Sequence, residues 1–174
     1  MMKRFILILA GGIVLAVATE VPLALADCAK GEALCPSNLG GGCAPLGNVC
    51  CPGGTHVAVG AACPGENTGS WGAVAVAEWD DSTGNAHVDA SVNYNSKTLS
   101  QASAAALTDC QKTSGQLCHI VGTFNNGGCG YVAVGHGSNN ARYGISATAE
   151  GATKECTASG DACKAPIGGC TTAQ

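Results

Sequence analysis

Apolar and polar positions divide the chain into stretches of different character. Phe5 to Val17 is a nearly unbroken apolar run, preceded by Lys3 and Arg4 and followed by the small-x-small tripeptide Ala24-Leu25-Ala26. That order predicts a secretory signal peptide over 1–26 and a mature chain starting at Asp27. A membrane anchor needs roughly 20 apolar residues, and Glu20 and Pro22 cut this run short. Lipid attachment at Cys28 is disfavoured because acidic Asp27 stands where a small residue is required. Residues 27–64 then show neither helical nor strand period. Leu39-Gly40-Gly41-Gly42-Cys43 and Cys50-Cys51-Pro52-Gly53-Gly54 are turn-forming. A stretch this rich in Gly and Pro orders only if it is tied. Pro64 to Ser70 reads as a linker or turn.

From residue 71 a pattern emerges and recurs. Trp71-Gly72-Ala73-Val74-Ala75-Val76-Ala77 returns as Cys129-Gly130-Tyr131-Val132-Ala133-Val134-Gly135, with Gly, Val, Ala and Val in register. Each run is followed by a polar turn, Asp80 to Gly84 and Gly137 to Asn140, and then by a second strand, Ala86 to Tyr94 and Ala141 to Ser146. Leu99, Ala102, Ala106 and Cys110 then recur at helical spacing behind Ser96, a candidate N-cap. Ala149, Ala152 and Cys156 repeat that stripe. Gly115 and Gly160 follow as helix breakers, and Gly151 is expected to weaken the second helix. The expected fold is α+β: a duplicated strand-strand-helix-strand unit forming an antiparallel sheet with two helices. A small Cys-rich loop module precedes it. The implied divisions are 1–26 signal peptide, 27–64 Cys-rich disulfide module, 65–70 linker and 71–174 duplicated domain.

Trp71-Gly72, the helix ending in Cys110, Cys118, Cys129-Gly130, and the repeat through Cys156, Cys163 and Cys170 give this region a pattern that resembles the bacterial secreted domain-of-unknown-function 4189 family over about 71–170. The resemblance implies fold and export; the family name implies no activity. The second copy is shorter between its second strand and Cys156.

All twelve cysteines lie after the cleavage site. An even count in an exported chain predicts disulfides, with zinc binding the weaker alternative. Cys28, Cys35, Cys43, Cys50, Cys51 and Cys63 form one group, which looks like the cystine-stapled modules of toxins and inhibitors. Fifteen pairings are open to it, with Cys50 and Cys51 expected in different bridges. In the second group each helix-end cysteine has a partner shortly after the breaker, which predicts Cys110–Cys118 and Cys156–Cys163 and leaves Cys129 for Cys170. With two Phe, two Trp and three Tyr in the whole chain, cross-links must supply stability that apolar burial does not.

Without the signal segment the chain carries six Lys and Arg against eleven Asp and Glu. That balance argues against nucleic acid, whose phosphates demand basic side chains, and against a polybasic membrane patch. No other segment is apolar enough to span a bilayer as a helix. His56, His87, His119 and His136 lack ligand spacing, so no metal and no cofactor is expected. His119 should face away from Cys118 on its strand, and His87 sits near Asp89. There is no Gly-x-Ser-x-Gly elbow, no Cys-x-x-Cys and no spare thiol, so no catalytic residue is assigned. Trp71 is expected to be structural. Trp79, Asp80 and Asp81, with Tyr94 second, are the candidate binding residues, Trp79 lying beyond its strand. The preferred reading is a secreted or periplasmic, non-catalytic binding or inhibitor-like module, with a protein or glycan partner outside the cytoplasm. The alternatives are a carbohydrate-acting enzyme using Glu78 to Asp81 and a structural envelope protein.

Overall fold

The computed structural model describes residues 28–136, 141–158 and 162–173. The expected signal peptide, the Gly137–Asn140 turn and the Gly160 breaker lie outside the described residues. In chain order the elements are β1 (Glu32–Leu34), β2 (Cys43–Pro45), β3 (Val49–Cys50), β4 (His56–Val57), β5 (Trp71–Asp80), β6 (Ala86–Ser96), α1 (Leu99–Ser114), β7 (His119–Asn125), β8 (Cys129–His136), β9 (Ala141–Ser146), α2 (Ala149–Thr157), β10 (Ala162–Cys163) and β11 (Ile167–Cys170).

The fold is α+β with two helices, and its strands form four separate antiparallel sheets where one was expected. β1 pairs β2 and β3 pairs β4; β5 lies between β6 and β7; β8 has β9 on one side and β10 and β11 on the other. The physical reason is visible in the apolar runs. β5 and β8 do not alternate apolar with polar, so both faces of each must be covered, and a single flat sheet with two helices on one side would leave one face wet. The solution is four layers. Ala73, Ala75 and Ala77 of β5 pack against Ala102, Ala106, Leu107 and Cys110 of α1. Val74 and Val76, on the opposite face of β5, meet Val132 of β8. Ala133, on the far face of β8, meets Ala152 and Cys156 of α2.

Small residues set the spacings. The Phe124 ring fills the gap between the large sheets, where a Cβ at either Gly72 or Gly130 would come within 2.3 Å of it. α2 lies directly on the β9 backbone at Gly144, where a Cβ would be 2.3 Å from the Ala152 carbonyl oxygen. Across α1, the Ser91 hydroxyl donates to the Ala106 carbonyl at 2.5 Å.

The helix starts differ from expectation. Ser96 still belongs to β6, and Thr98 caps α1, its Oγ1 accepting from the Gln101 N–H at 3.3 Å. Thr148 caps α2 in the same way, accepting from the Gly151 N–H at 3.0 Å. Gly151 is therefore in the first turn of α2, and a Cβ there would lie 2.2 Å from the Ser146 hydroxyl. Gly115 ends α1 at φ 68, its N–H bonded to the Gln111 carbonyl.

Six disulfides use all twelve cysteines: Cys28–Cys43, Cys35–Cys50, Cys51–Cys63, Cys110–Cys118, Cys129–Cys170 and Cys156–Cys163. The last three are the pairs the spacing predicts, and Cys50 and Cys51 do enter different bridges. The Cys-rich segment contains four short strands although its sequence has no strand period. It packs on the helix-bearing face: Val49, Cys51 and Cys63 join the α1 core, and Cys35, Leu39, Ala44 and Cys50 surround Leu99. Glu66 accepts hydrogen bonds from the backbone N–H and hydroxyl of Ser100, which ties the 65–70 stretch to the first turn of α1.

Candidate functional site

The acidic hairpin between β5 and β6 was the first candidate. Asp81 begins the turn, and its carboxylate accepts from the Thr83 N–H at 2.8 Å, the Thr83 hydroxyl at 2.6 Å and the Asn85 N–H at 3.0 Å. The Asn85 amide reaches its second oxygen at 3.2 Å, and His87 Nε2 stands 3.0 Å from that same oxygen. The His87 contact first, then Thr83 and Asn85, hold the Asp81 carboxyl well below the usual carboxylate range. Its lone pairs are thus spent inside the turn, as expected of an Asp that organises a loop. Trp79 lies within β5 and not beyond it. Its ring stacks on His87, its cross-strand neighbour, with centroids 5.3 Å apart.

Strand alternation separates the remaining candidates. Trp79 shares the α1 face of β5 with Ala73, Ala75 and Ala77, whereas Glu78 and Asp80 share the opposite face with Val74 and Val76. Tyr94 lies seven residues along β6 from His87, near Gly169 of β11. Trp79 and Asp81 therefore meet at His87, whereas Asp80 lies on the opposite face and Tyr94 far along β6, and the four do not form one patch.

A groove of about 320 Å³ lies elsewhere, where the Cys-rich segment meets the edge strands β7 and β9. Leu34, Pro36, Val121 and Ile145 supply apolar walls; Ser37, His119 and Tyr143 supply polar atoms. The Cys35–Cys50 bridge fixes the 34–37 wall. The Asn38 amide donates to the Thr123 hydroxyl at 2.8 Å, which fastens that wall to β7. Burial lowers the His119 pKa, favouring neutral imidazole. Burial, and then the nearby charge of Glu78, push the Tyr143 phenol up. Glu78 is exposed as a residue, yet partial burial of its carboxyl raises its pKa.

His119 and Tyr143 were not singled out as site residues from sequence. The only signal was the alternation that turns His119 away from buried Cys118; nothing local shows that β9 and residues 34–37 stand opposite. Of the other histidines, His56 is exposed on β4 and His136 ends β8. Among the described residues no three His, Cys, Asp or Glu side chains gather as a metal ion requires, and no helix is long and apolar enough to cross a membrane.

Residues 71–170 match the family model described as Domain of unknown function (DUF4189), and the chain belongs to that family. The 34–37 wall of the groove lies outside the matched region. No curated protein matches the chain. No solved structure matches it either.

Proposed function

We propose that this chain is an exported, non-catalytic binding module that seats a ligand in the groove between its Cys-rich segment and the edges of its two large sheets. The observation that carries this reading is the groove itself: apolar walls, a few convergent polar atoms, and walls held by a disulfide and a tertiary hydrogen bond. Such composition is what ligand sites share, and walls ordered before binding lower its entropic cost. Export to the periplasm or beyond is supported by the basic, apolar, small-residue order of 1–26 and by six disulfides, which persist in oxidising compartments. The carbohydrate-acting alternative loses support because Asp81 is consumed by its own turn.

The same reading treats 71–125 and 129–170 as two copies of one strand-strand-helix-strand unit. Matched Gly72 and Gly130 bracket one phenyl ring, and matched caps Thr98 and Thr148 start the two helices.

The test is an NMR screen of ¹⁵N-labelled chain against small aromatic and aliphatic compounds. Signals of Leu34, Val121, Tyr143 and Ile145 should move together while those of Trp79 and His87 stay. Leu34→Ser should weaken binding about tenfold, since a buried Leu side chain contributes on the order of 1.5 kcal/mol or more. Shifts confined to the hairpin, or none anywhere, would refute the assignment.

A further inference from the structure

We infer that the ligand of this groove is a small organic cation: an apolar body ended by an ammonium group, its body between Leu34, Pro36 and Ile145 and its charge at Glu78 beside Tyr143. The inference rests on the binding reading above and adds the chemistry of the ligand.

The position of Glu78 follows from strand register. Val76 of β5 is directly opposite His119 of β7, and opposed residues point to the same face. Glu78 lies two residues further along β5, on that face and about 7 Å on. β7 starts at His119, so no β7 residue stands opposite Glu78. Tyr143 comes from β9 across the sheet–sheet interface, close enough for its phenol to feel the Glu78 charge. Glu78 does not itself line the groove; register puts it beyond His119 on the same face, within electrostatic reach of the groove-lining Tyr143.

Glu78 also lacks an ion-pair or hydrogen-bond partner among the described residues. Among the described residues, the ion pair is His87–Asp81, and no hydrogen bond reaches the Glu78 carboxylate. Arg142, next in sequence to Tyr143, is on the other face of β9. It is opposite Gly135, and Gly135 lies against the sulfurs of Cys156 and Cys163. An acid partly removed from water, with no cation of its own, is stabilised by one that a ligand brings. An anionic ligand would meet Glu78 with no compensating cation, because burial favours neutral His119. The groove's 320 Å³ is at the small end of the range for ligand pockets, which fits an arylalkyl amine and not a folded partner.

Three isosteric probes separate the outcomes at pH 7: phenethylamine, 2-phenylethanol and phenylacetate, titrated into the ¹⁵N-labelled chain. The amine should bind at least about tenfold tighter than the alcohol, and the acid more weakly than either. In Glu78→Gln the advantage of the amine over the alcohol should vanish, whereas Asp109→Asn on the exposed side of α1 should keep it. Equal affinity of amine and alcohol, tighter binding of the acid, or an amine preference that survives Glu78→Gln overturns the cation inference while leaving a binding groove. If no probe moves the groove signals, the binding reading itself falls.

Discussion

Glu78, two residues beyond the cross-strand partner of His119, and His119 respond to burial in opposite senses. Burial keeps a proton on Glu78 above its ordinary value of 4.5 and takes one from His119 below 6.5. For Glu78 the folded state holds the proton more tightly, so its contribution is fully present below 4.5 and is lost as pH rises through the raised value. For His119 the unfolded state protonates first, so stability falls as pH drops below 6.5 toward the lowered value. Glu78→Gln should therefore raise the melting temperature at pH 7, by an amount worth within about 0.5 kcal/mol for so exposed a group, and the gain should fade by pH 4. His119→Gln should flatten the decline between pH 7 and 5. Thermal melts followed by circular dichroism across that range check both; a Glu78→Gln benefit that grows toward acid would contradict the desolvation account. At this scale the sequence was legible where the chemistry is local. Asp81 reads as a turn former because Thr83 and Asn85 are its chain neighbours. The role of His119 was hidden because its surroundings come from residues 34–37 and from β9.

Elements were legible where hydrophobic period was strong and less so where a boundary depends on packing. The stripe Leu99, Ala102, Ala106 and Cys110 is buried along its length, and β9 has the limits read from sequence. The cap of α1 moved from Ser96 to Thr98 because β6 runs on to Ser96 to complete its pairing with Trp71. One sheet was expected where the structure has two large ones and two small ones, and only the tertiary contacts show which face meets helix and which meets sheet. Glycines record these choices and give a test. At Gly144 a Cβ would meet backbone of α2 at 2.3 and 2.4 Å, so Gly144→Ala must push the helix off its sheet and should cost about 1–3 kcal/mol. At Gly122 a Cβ would find ordinary contacts at 3.7–4.0 Å, so Gly122→Ala should stay within about 0.5 kcal/mol of wild type or stabilise slightly by restricting the unfolded chain. Urea unfolding of the two variants should separate them; equal losses would mean that α2 does not rest on β9 as described.

On the scale of the whole molecule, cross-links and a core of small side chains share the work. Its fully buried residues are mostly Ala, Val and Cys, with Leu99, Leu107 and Ile120 the largest. The cysteine count announced this economy, the loops after the two helices announced Cys110–Cys118 and Cys156–Cys163, and Cys129–Cys170 followed as the remaining pair of that group. The remaining pairs and the placement of the Cys-rich segment were not legible, because 27–64 has no period and its partners lie far along the chain. That placement changes what reduction should do. A separate loop module would be expected to lose order as a block before the rest. Here Cys51–Cys63 and Cys110–Cys118 are buried in one cluster with α1, whereas Cys170 is exposed and Cys28 and Cys43 are half-buried. Thiolate attack requires access to sulfur. Graded reduction with alkylation and mass mapping should therefore label Cys129 and Cys170 first and Cys28 and Cys43 next. Cys51, Cys63, Cys110 and Cys118 should react last, together with global unfolding. The bridge Cys51–Cys63 spans 12 residues, and opening it should cost about 3 kcal/mol, a large share of the 5–15 kcal/mol that holds such a domain folded. Its loss should thus coincide with loss of hydrogen-exchange protection in α1, not merely in the segment it closes. Complete labelling of all six cysteines from Cys28 to Cys63 while α1 stays protected would show instead that the Cys-rich segment is an independent unit, and the groove it walls would then have to open with it.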